Sequence, residues 1–175
     1  MKLKKGAAVL ALFGTLAGGA LWSSVEHFEG VKQKPYADIV GVLTVCAGHT
    51  GKGIDRNKYY SLEECSQLLD ADLVSHAKQA ESVTPILFER DPLTGELVYP
   101  WQAAAVTSFV FNVGVGNYRK STAARKFNSG DFKGGCEALA MYDKARVGGR
   151  DKPLIKVRGL TIRRDAEVEM CLQGL

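Results

Sequence analysis

The sequence predicts an α+β fold that is mostly helical, and three stretches carry that prediction. Ser61-Leu62-Glu63-Glu64 has the form of a capping box and opens a helix over residues 62–83. Residues 101–113, WQAAAVTSFVFNV, are apolar almost throughout and read as a helix buried on all sides. Ile39 to Val45 is β-branched and alternating, broken once by Gly41, and reads as a hairpin or small sheet entered through Pro35-Tyr36-Ala37-Asp38. A chain of 175 residues suffices for one domain with a real core, in one or two lobes. Hydrophobic content of 46% with 24% charge argues against disorder.

The N-terminus stands apart from that body. Lys2, Lys4 and Lys5 precede residues 6–22, GAAVLALFGTLAGGALW, which carry no charge. A charged start before an apolar run is the pattern of a secretory signal. Seventeen helical residues span about 25 Å, short of the roughly 30 Å hydrocarbon core, and four Gly and five Ala make the run only weakly apolar. Three readings compete: a signal peptide cleaved at Gly18-Gly19-Ala20, a permanent anchor, and a weak anchor that inserts and later leaves. Cleavage after Ala20 leaves only eight residues before Glu29, little helix to hold an acid there. Gly14 and Gly18 form a G-x-x-x-G, read as incidental among so many small residues. Without the three leading lysines the body has 20 basic and 19 acidic residues, which excludes a nucleic-acid binder on charge grounds.

Ser24 is a candidate cap for a short helix through Phe28, which Gly30 ends in a left-handed turn. Glu29 then sits on the last turn. The helix's negative end and any burial disfavour the charged carboxylate there, as suits a general acid. Asp38 follows at the entrance of the sheet, and Thr44 lies further along it. A helix-end acid facing a strand-edge acid is a frame for glycosidic cleavage, though two acids nine apart are by themselves ordinary surface charge. Gly48-His49-Thr50-Gly51 is a turn; His49 either touches substrate or, the blander reading, satisfies local backbone groups.

In the helix over 62–83, Leu68, Leu69, Leu73 and Ala77 recur near helical spacing. Residues 84–100 carry three prolines and read as a loop. After 101–113, Asn112-Val113-Gly114 bends the chain. Ser121-Thr122 caps a helix over 122–128, Asp131 opens another over 131–141 carrying Cys136, and Thr161 opens the last, ending near Leu172. Residues 144–158, KARVGGRDKPLIKVR, are a solvated basic loop or a contact for anionic wall polymer or lipid headgroups. The even count of cysteines, Cys46, Cys65, Cys136 and Cys171, suits an oxidising compartment, and no CxxC spacing suggests zinc.

The string E-G-x7-D-x2-G-x2-T-x3-G-H-T, from Glu29 to Thr50, closely resembles the active-site segment of the phage lysozymes, glycoside hydrolase family 24. The resemblance extends through YSLEEC (60–65), SFVFNVGVGNYRKST (108–122) and GLTIRRDAEVEMC (159–171), and so covers roughly residue 24 to the C-terminus. It implies a lysozyme-like fold: a small β-sheet lobe and a larger helical lobe joined by a long helix, for which 62–83 is the candidate. The family's glutamate, aspartate and threonine map onto Glu29, Asp38 and Thr44 without a gap. The implied activity is hydrolysis of the β-1,4 bond between N-acetylmuramic acid and N-acetylglucosamine in peptidoglycan, with a lean towards inversion. Asn112 is expected to line the glycan groove, the alternative being a helix C-cap, and Arg163 is expected to reach Glu29 and favour its charged form, opposing burial. The family fold also implies disulfides Cys46–Cys65 and Cys136–Cys171, with the other connectivities open.

The arrangement of the whole chain resembles the signal-anchor-release endolysins of lambdoid-type phages. The expected division is therefore residues 1–22 as anchor and 23–175 as catalytic domain. The enzyme would be tethered at the host inner membrane through residues 6–22 on its periplasmic side, then released to the periplasm to lyse the host. The chain is read as a monomer needing no metal or other cofactor, with peptidoglycan strands as its partner. Control by a cysteine within the anchor is closed, since none precedes Cys46. Two rivals stand: a lytic transglycosylase, which needs one dominant acid, and a membrane-anchored wall-binding protein with a decayed site.

Overall fold

Helix α4 (Pro100–Val113) packs against helices from both the start and the end of the chain. Pro100 fits its first turn, where a missing N–H costs no bond, and Gly114, at φ 80°, ends it. Between these ends Ala103, Ala104, Ala105, Val106, Phe109 and Val110 have no exposed surface. Burying a Val or Phe contributes about 1.5–3 kcal/mol, so an all-apolar helix is best placed where every face is covered. The structure, a computed structural model, describes residues 2–37, 41–51, 53–146 and 151–175.

Helix α3 (Leu62–Glu81) packs on α4 through Leu69, Leu73 and Ala77. Its capping box closes as the sequence predicts: Ser61 Oγ accepts from the Glu64 N–H at 3.1 Å, and Glu64 Oε2 accepts from the Ser61 N–H at 2.9 Å. The same helix touches a three-stranded antiparallel sheet of β1 (Lys32–Ala37), β2 (Leu43–Cys46) and β3 (His49–Thr50). It therefore joins the sheet to the helical body. Tyr36 pairs with Thr44 and Ala37 with Leu43, while the β1 register shifts between Lys32 and Tyr36. Cys46–Cys65 fastens β2 to α3, and Cys136–Cys171 fastens α7 (Phe132–Ala138) to the last helix, α8 (Arg158–Leu172). Loops of 19 and 35 residues are worth roughly 3–4 kcal/mol each in the chain-entropy account.

The N-terminal run folds onto this body as two helices, α1 (Ala7–Phe13) and α2 (Thr15–Glu29), broken at Gly14, whose φ is 79°. Val9, Phe13, Leu21, Trp22 and Val25 are buried. The expected start near Ser24 is corrected: α2 begins nine residues earlier because the apolar face continues along the core, and Ser24 Oγ is buried inside the helix rather than capping it. Gly18 is not incidental either. A Cβ there would lie 2.9 Å from the Val9 carbonyl oxygen, so the glycine lets the two helix backbones meet. Among the described residues no helix is long and apolar enough to cross a membrane.

The remaining differences are local. Residues 84–100 hold a 3-10 turn at Pro85–Phe88 and a bridge between Arg90 and Leu97; Asp91 Oδ1 closes the turn between by accepting from Leu93 and Thr94 N–H groups. A short α5 (Val115–Arg119) precedes α6 (Thr122–Asn128), which Ser121 caps. The helix expected over 131–141 stops at Ala138 and tightens into a 3-10 turn, Leu139–Tyr142. The basic stretch is not all loop: β4 (Lys144–Arg146) pairs antiparallel with β5 (Leu154–Lys156), and Lys156 Nζ reaches Asp143 at 3.1 Å. Helix α8 starts three residues before Thr161.

No side chain of α1's own N-cap closes its first turn; Asp70 of α3 does, with Oδ2 accepting from the Ala8 N–H at 3.1 Å and Oδ1 from the Val9 N–H at 2.9 Å. Asp70→Ala is expected to cost about 1 kcal/mol, the usual loss on deleting a cap, and Asp70→Asn much less. The midpoint of urea unfolding, compared at equal m-value, checks this.

Candidate active site

Glu29 is the last residue of α2, and Gly30 at φ 67° turns the chain into β1. That geometry leaves the carboxyl projecting past the helix end towards the sheet. Glu29 Oε1 forms an ion pair with Arg163 Nη1 from α8. Arg163 is nearly inaccessible, its side chain 4% exposed against 24% for Glu29. The Phe28 ring lies under the guanidinium, 5.4 Å from its carbon. The expected contact between Arg163 and Glu29 is therefore present.

The other carboxyl oxygen faces the β2–β3 turn. A Cβ on Gly48 would stand 3.6 Å from Glu29 Oε2, and Gly48 sits at φ 84°, a conformation that favours glycine. The tight hairpin thus brings backbone alongside the acid. Thr44 lies in β2, buried, with Oγ1 donating to the Val42 carbonyl at 3.1 Å. Asp38, one position after β1 in sequence, lies outside the described residues, as do Ile39 and Val40 of the stretch read as strand.

Among the described residues, the His49 ring pairs with a side chain rather than with local backbone. Its Nδ1 lies 2.8 Å from Asp72 Oδ2 on α3, which fixes β3 to that helix. Asn112 is not a cap either: Gly114 ends α4, and Asn112 Oδ1 accepts from Arg164 Nη2 at 2.9 Å. Asn112 also borders an open groove of about 560 Å³ shared with Asn117, Tyr142 and Lys144.

Behind Arg163 lies a group the sequence reading missed. Glu167 is fully buried. Its Oε1 accepts from Ser108 Oγ at 2.8 Å, Arg163 Nε at 3.2 Å and Arg164 Nη2 at 3.1 Å. Arg164 Nε stands 3.0 Å from Oε2 in a charge contact that lacks hydrogen-bond alignment. Burial pushes the Glu167 carboxyl up, against the pull of both guanidiniums and the Ser108 hydroxyl, and burial pulls the Arg164 guanidinium down. The spacing of Arg163, Arg164 and Glu167 looks like an ordinary solvated i,i+3/i,i+4 set; only the apolar α4 opposite could have marked it as buried.

Comparison with known proteins finds relatives over most of the chain. The family model described as phage lysozyme matches residues 26–167. A SAR-endolysin of Bacteriophage PS119 is 44% identical, covering 85% of this chain and 79% of its own. The SAR-endolysin of Enterobacteria phage P21 is 40% identical over 97% of this chain and 91% of its own. In fold, the muramidase domain of SpmX from Asticaccaulis excentricus superposes with a TM-score of 0.71 at 21% identity, covering 98% of this chain and 99% of that one. Matched by the family model along most of its length and by relatives at this identity, the chain belongs to the phage lysozyme family.

Proposed function

We propose that this endolysin is a muramidase in which Glu29 is the general acid, Asp38 the second carboxylate and Thr44 a water-orienting hydroxyl. Family membership and the SAR-endolysin relatives support peptidoglycan hydrolysis leading to host lysis. The observation that carries the finer reading is the asymmetric setting of Glu29. Arg163 occupies Oε1, while Oε2 faces the Gly48 turn. Oε2 is then the atom that carries the proton to the leaving oxygen. As the bond from that oxygen to the anomeric carbon of N-acetylmuramic acid breaks, positive charge develops on the carbon. Asp38 stabilises it and accepts a proton from the attacking water, which Thr44 holds in place. Glu29 is reprotonated from solvent, and the products are two shorter glycans, one with a new reducing end.

Glu29→Gln keeps the shape and removes the proton. It is expected to leave a folded protein with under about a hundredth of wild-type activity, the usual scale for losing general acid catalysis. Turbidity loss of permeabilised Gram-negative cells measures it; a tenth of wild-type activity or more overturns the assignment. Asp38→Asn is expected to lose about 10²-fold or more in the same assay. Sugar products with a reducing end are expected; 1,6-anhydro ends replace this reading with a lytic transglycosylase.

We further infer that residues 6–22 tether the enzyme at the host inner membrane on the periplasmic side and that it leaves the bilayer to act. The designation of its relatives supports this, as does the weakly apolar segment with three preceding lysines. In the described fold the segment is two helices packed on the body, with glycine at the break and at the crossing. Replacing Gly14 and Gly18 together by Leu makes the segment more apolar and obstructs that packing. The variant is expected to stay in the membrane fraction and lyse cells later than wild type. Leu12→Lys is expected to lyse earlier. Cell density against time, with fractionation of the protein, reads both; wild-type timing in both variants overturns the mechanism.

A further inference from the structure

Glu29, Asp38 and Thr44 carry the proposed reaction, and behind them lies a buried carboxylate with no part in it. Glu167 has no exposed surface, and nothing in the proposed chemistry touches it. Packing alone does not require a charge there. Apolar side chains of similar volume in place of Arg163, Arg164 and Glu167 together would cover α4 without the cost of taking charges out of water, a replacement that is often neutral or stabilising. What a carboxylate does here is grip Arg163. It takes the Nε edge of the guanidinium at 3.2 Å, while Nη1 of the same planar group meets Glu29 Oε1. Holding one edge of a rigid plane fixes the direction of the other edge.

We propose that Glu167 is a positioning residue for the reaction: it fixes the Arg163 guanidinium against Glu29 and offsets the positive charge that the acid faces. The proposal rests on the reading of Glu29 as general acid. Glu167 shares its charge between two arginines. Arg163 points to Glu29, and Arg164 points away, to Asn112 at 2.9 Å. The Arg164 guanidinium also lies 4.7 Å from the centre of the Phe109 ring. Among the described residues, the charged groups in contact with Glu167 are these two arginines on its own helix. From α4 come the neutral Ser108, which donates at 2.8 Å, and Asn112 through Arg164; from α2 comes Glu29, through Arg163. The cluster of two cations and one buried anion therefore presents one net positive charge to Glu29.

Glu29 must be protonated to act, and neighbouring positive charge favours its ionised form. Glu167→Gln, nearly the same shape, removes the offset. Ionised Glu29 is favoured, the acid loses its proton at lower pH, and the alkaline limb of the activity profile moves down. Arg164→Gln removes the competing cation, leaves Glu167 wholly to Arg163, and moves the same limb up. A merely structural role predicts lower melting temperatures for both and no opposed movement.

The test uses the full-length released protein with purified peptidoglycan sacculi, from pH 4 to 10, below the lowest melting temperature of the set. The expected result is a downward shift of the alkaline limb in Glu167→Gln of about half a pH unit or more, the scale of one unit charge acting across a partly buried site. Glu167→Asp, which keeps the charge, is expected to return the limb to its wild-type position even where its melting temperature falls. A folded Glu167→Gln with an unmoved limb overturns the proposal. If Glu167→Gln does not fold, Arg164→Gln decides: an upward shift supports the proposal, and an unmoved or lowered limb overturns it. Glu29→Gln measured alongside separates the two readings. Activity in that variant removes the acid assignment itself, whereas an inactive Glu29→Gln with an unmoved Glu167→Gln limb removes only the positioning role.

Discussion

The ion pair between Arg163 and Glu29 joins the two ends of the sequence. One partner closes α2, near the start of the chain, and the other stands on the first turns of α8, near its end. An exposed pair of this kind contributes little to stability. Here the guanidinium is almost fully covered, and Glu167, itself held by Ser108, supplies a second countercharge at its Nε edge. The position of the acid thus depends on α8 lying correctly on α4. That contact in turn depends on the alanines, Val106, Phe109 and Val110 that make α4 suitable for burial on every face. A polar cluster at the centre of an apolar interface gives α8 one favourable placement along α4, since sliding by a turn would part Glu167 from Ser108, Arg164 from Asn112 and Arg163 from Glu29.

The sheet is held to the same body by different means. A hairpin of such short strands is marginal alone. Cys46–Cys65 ties its middle strand to α3, and His49 with Asp72 ties its edge to the same helix two turns along. The result is that the Gly48 turn, flanked by these two fastenings, keeps a fixed place beside Glu29 Oε2.

Much of this was legible in the sequence because the signals were local. The capping box at Ser61, the apolar run over 101–113, the N-caps at Ser121 and Asp131, and Gly30 as a helix end each act within a few residues. The string from Glu29 to Thr50 carried the reading of the acid, and the reach of Arg163 came with the family resemblance. What the sequence hid was tertiary. Arg164 and Glu167 have the pattern of surface charge, and only the burial imposed by α4 makes them interior. Ser24 has the composition of a cap, but the helix had already begun at Thr15 because the apolar face of residues 17–25 had a core to lie on. The G-x-x-x-G looked accidental among other small residues until Val9 was seen against Gly18. Asp70, on the exposed side of an amphipathic pattern, gave no sign that it caps a helix 61 and 62 residues back along the chain.

The continuity of α2 has one more consequence. From Thr15 to Glu29 the chain is fifteen helical residues without a break, a rod of about 22 Å at ~1.5 Å per residue. Its first half is the apolar segment and its last residue is the acid. A rod of this length has no hinge in which to absorb motion; the glycine break lies before it, at Gly14. Leverage therefore passes along it undiminished. A tilt of ten degrees at Thr15, about a fixed point near the middle, carries the carboxyl more than an ångström sideways. The acid's alignment with Arg163 is thus a direct gauge of whether the apolar half is seated.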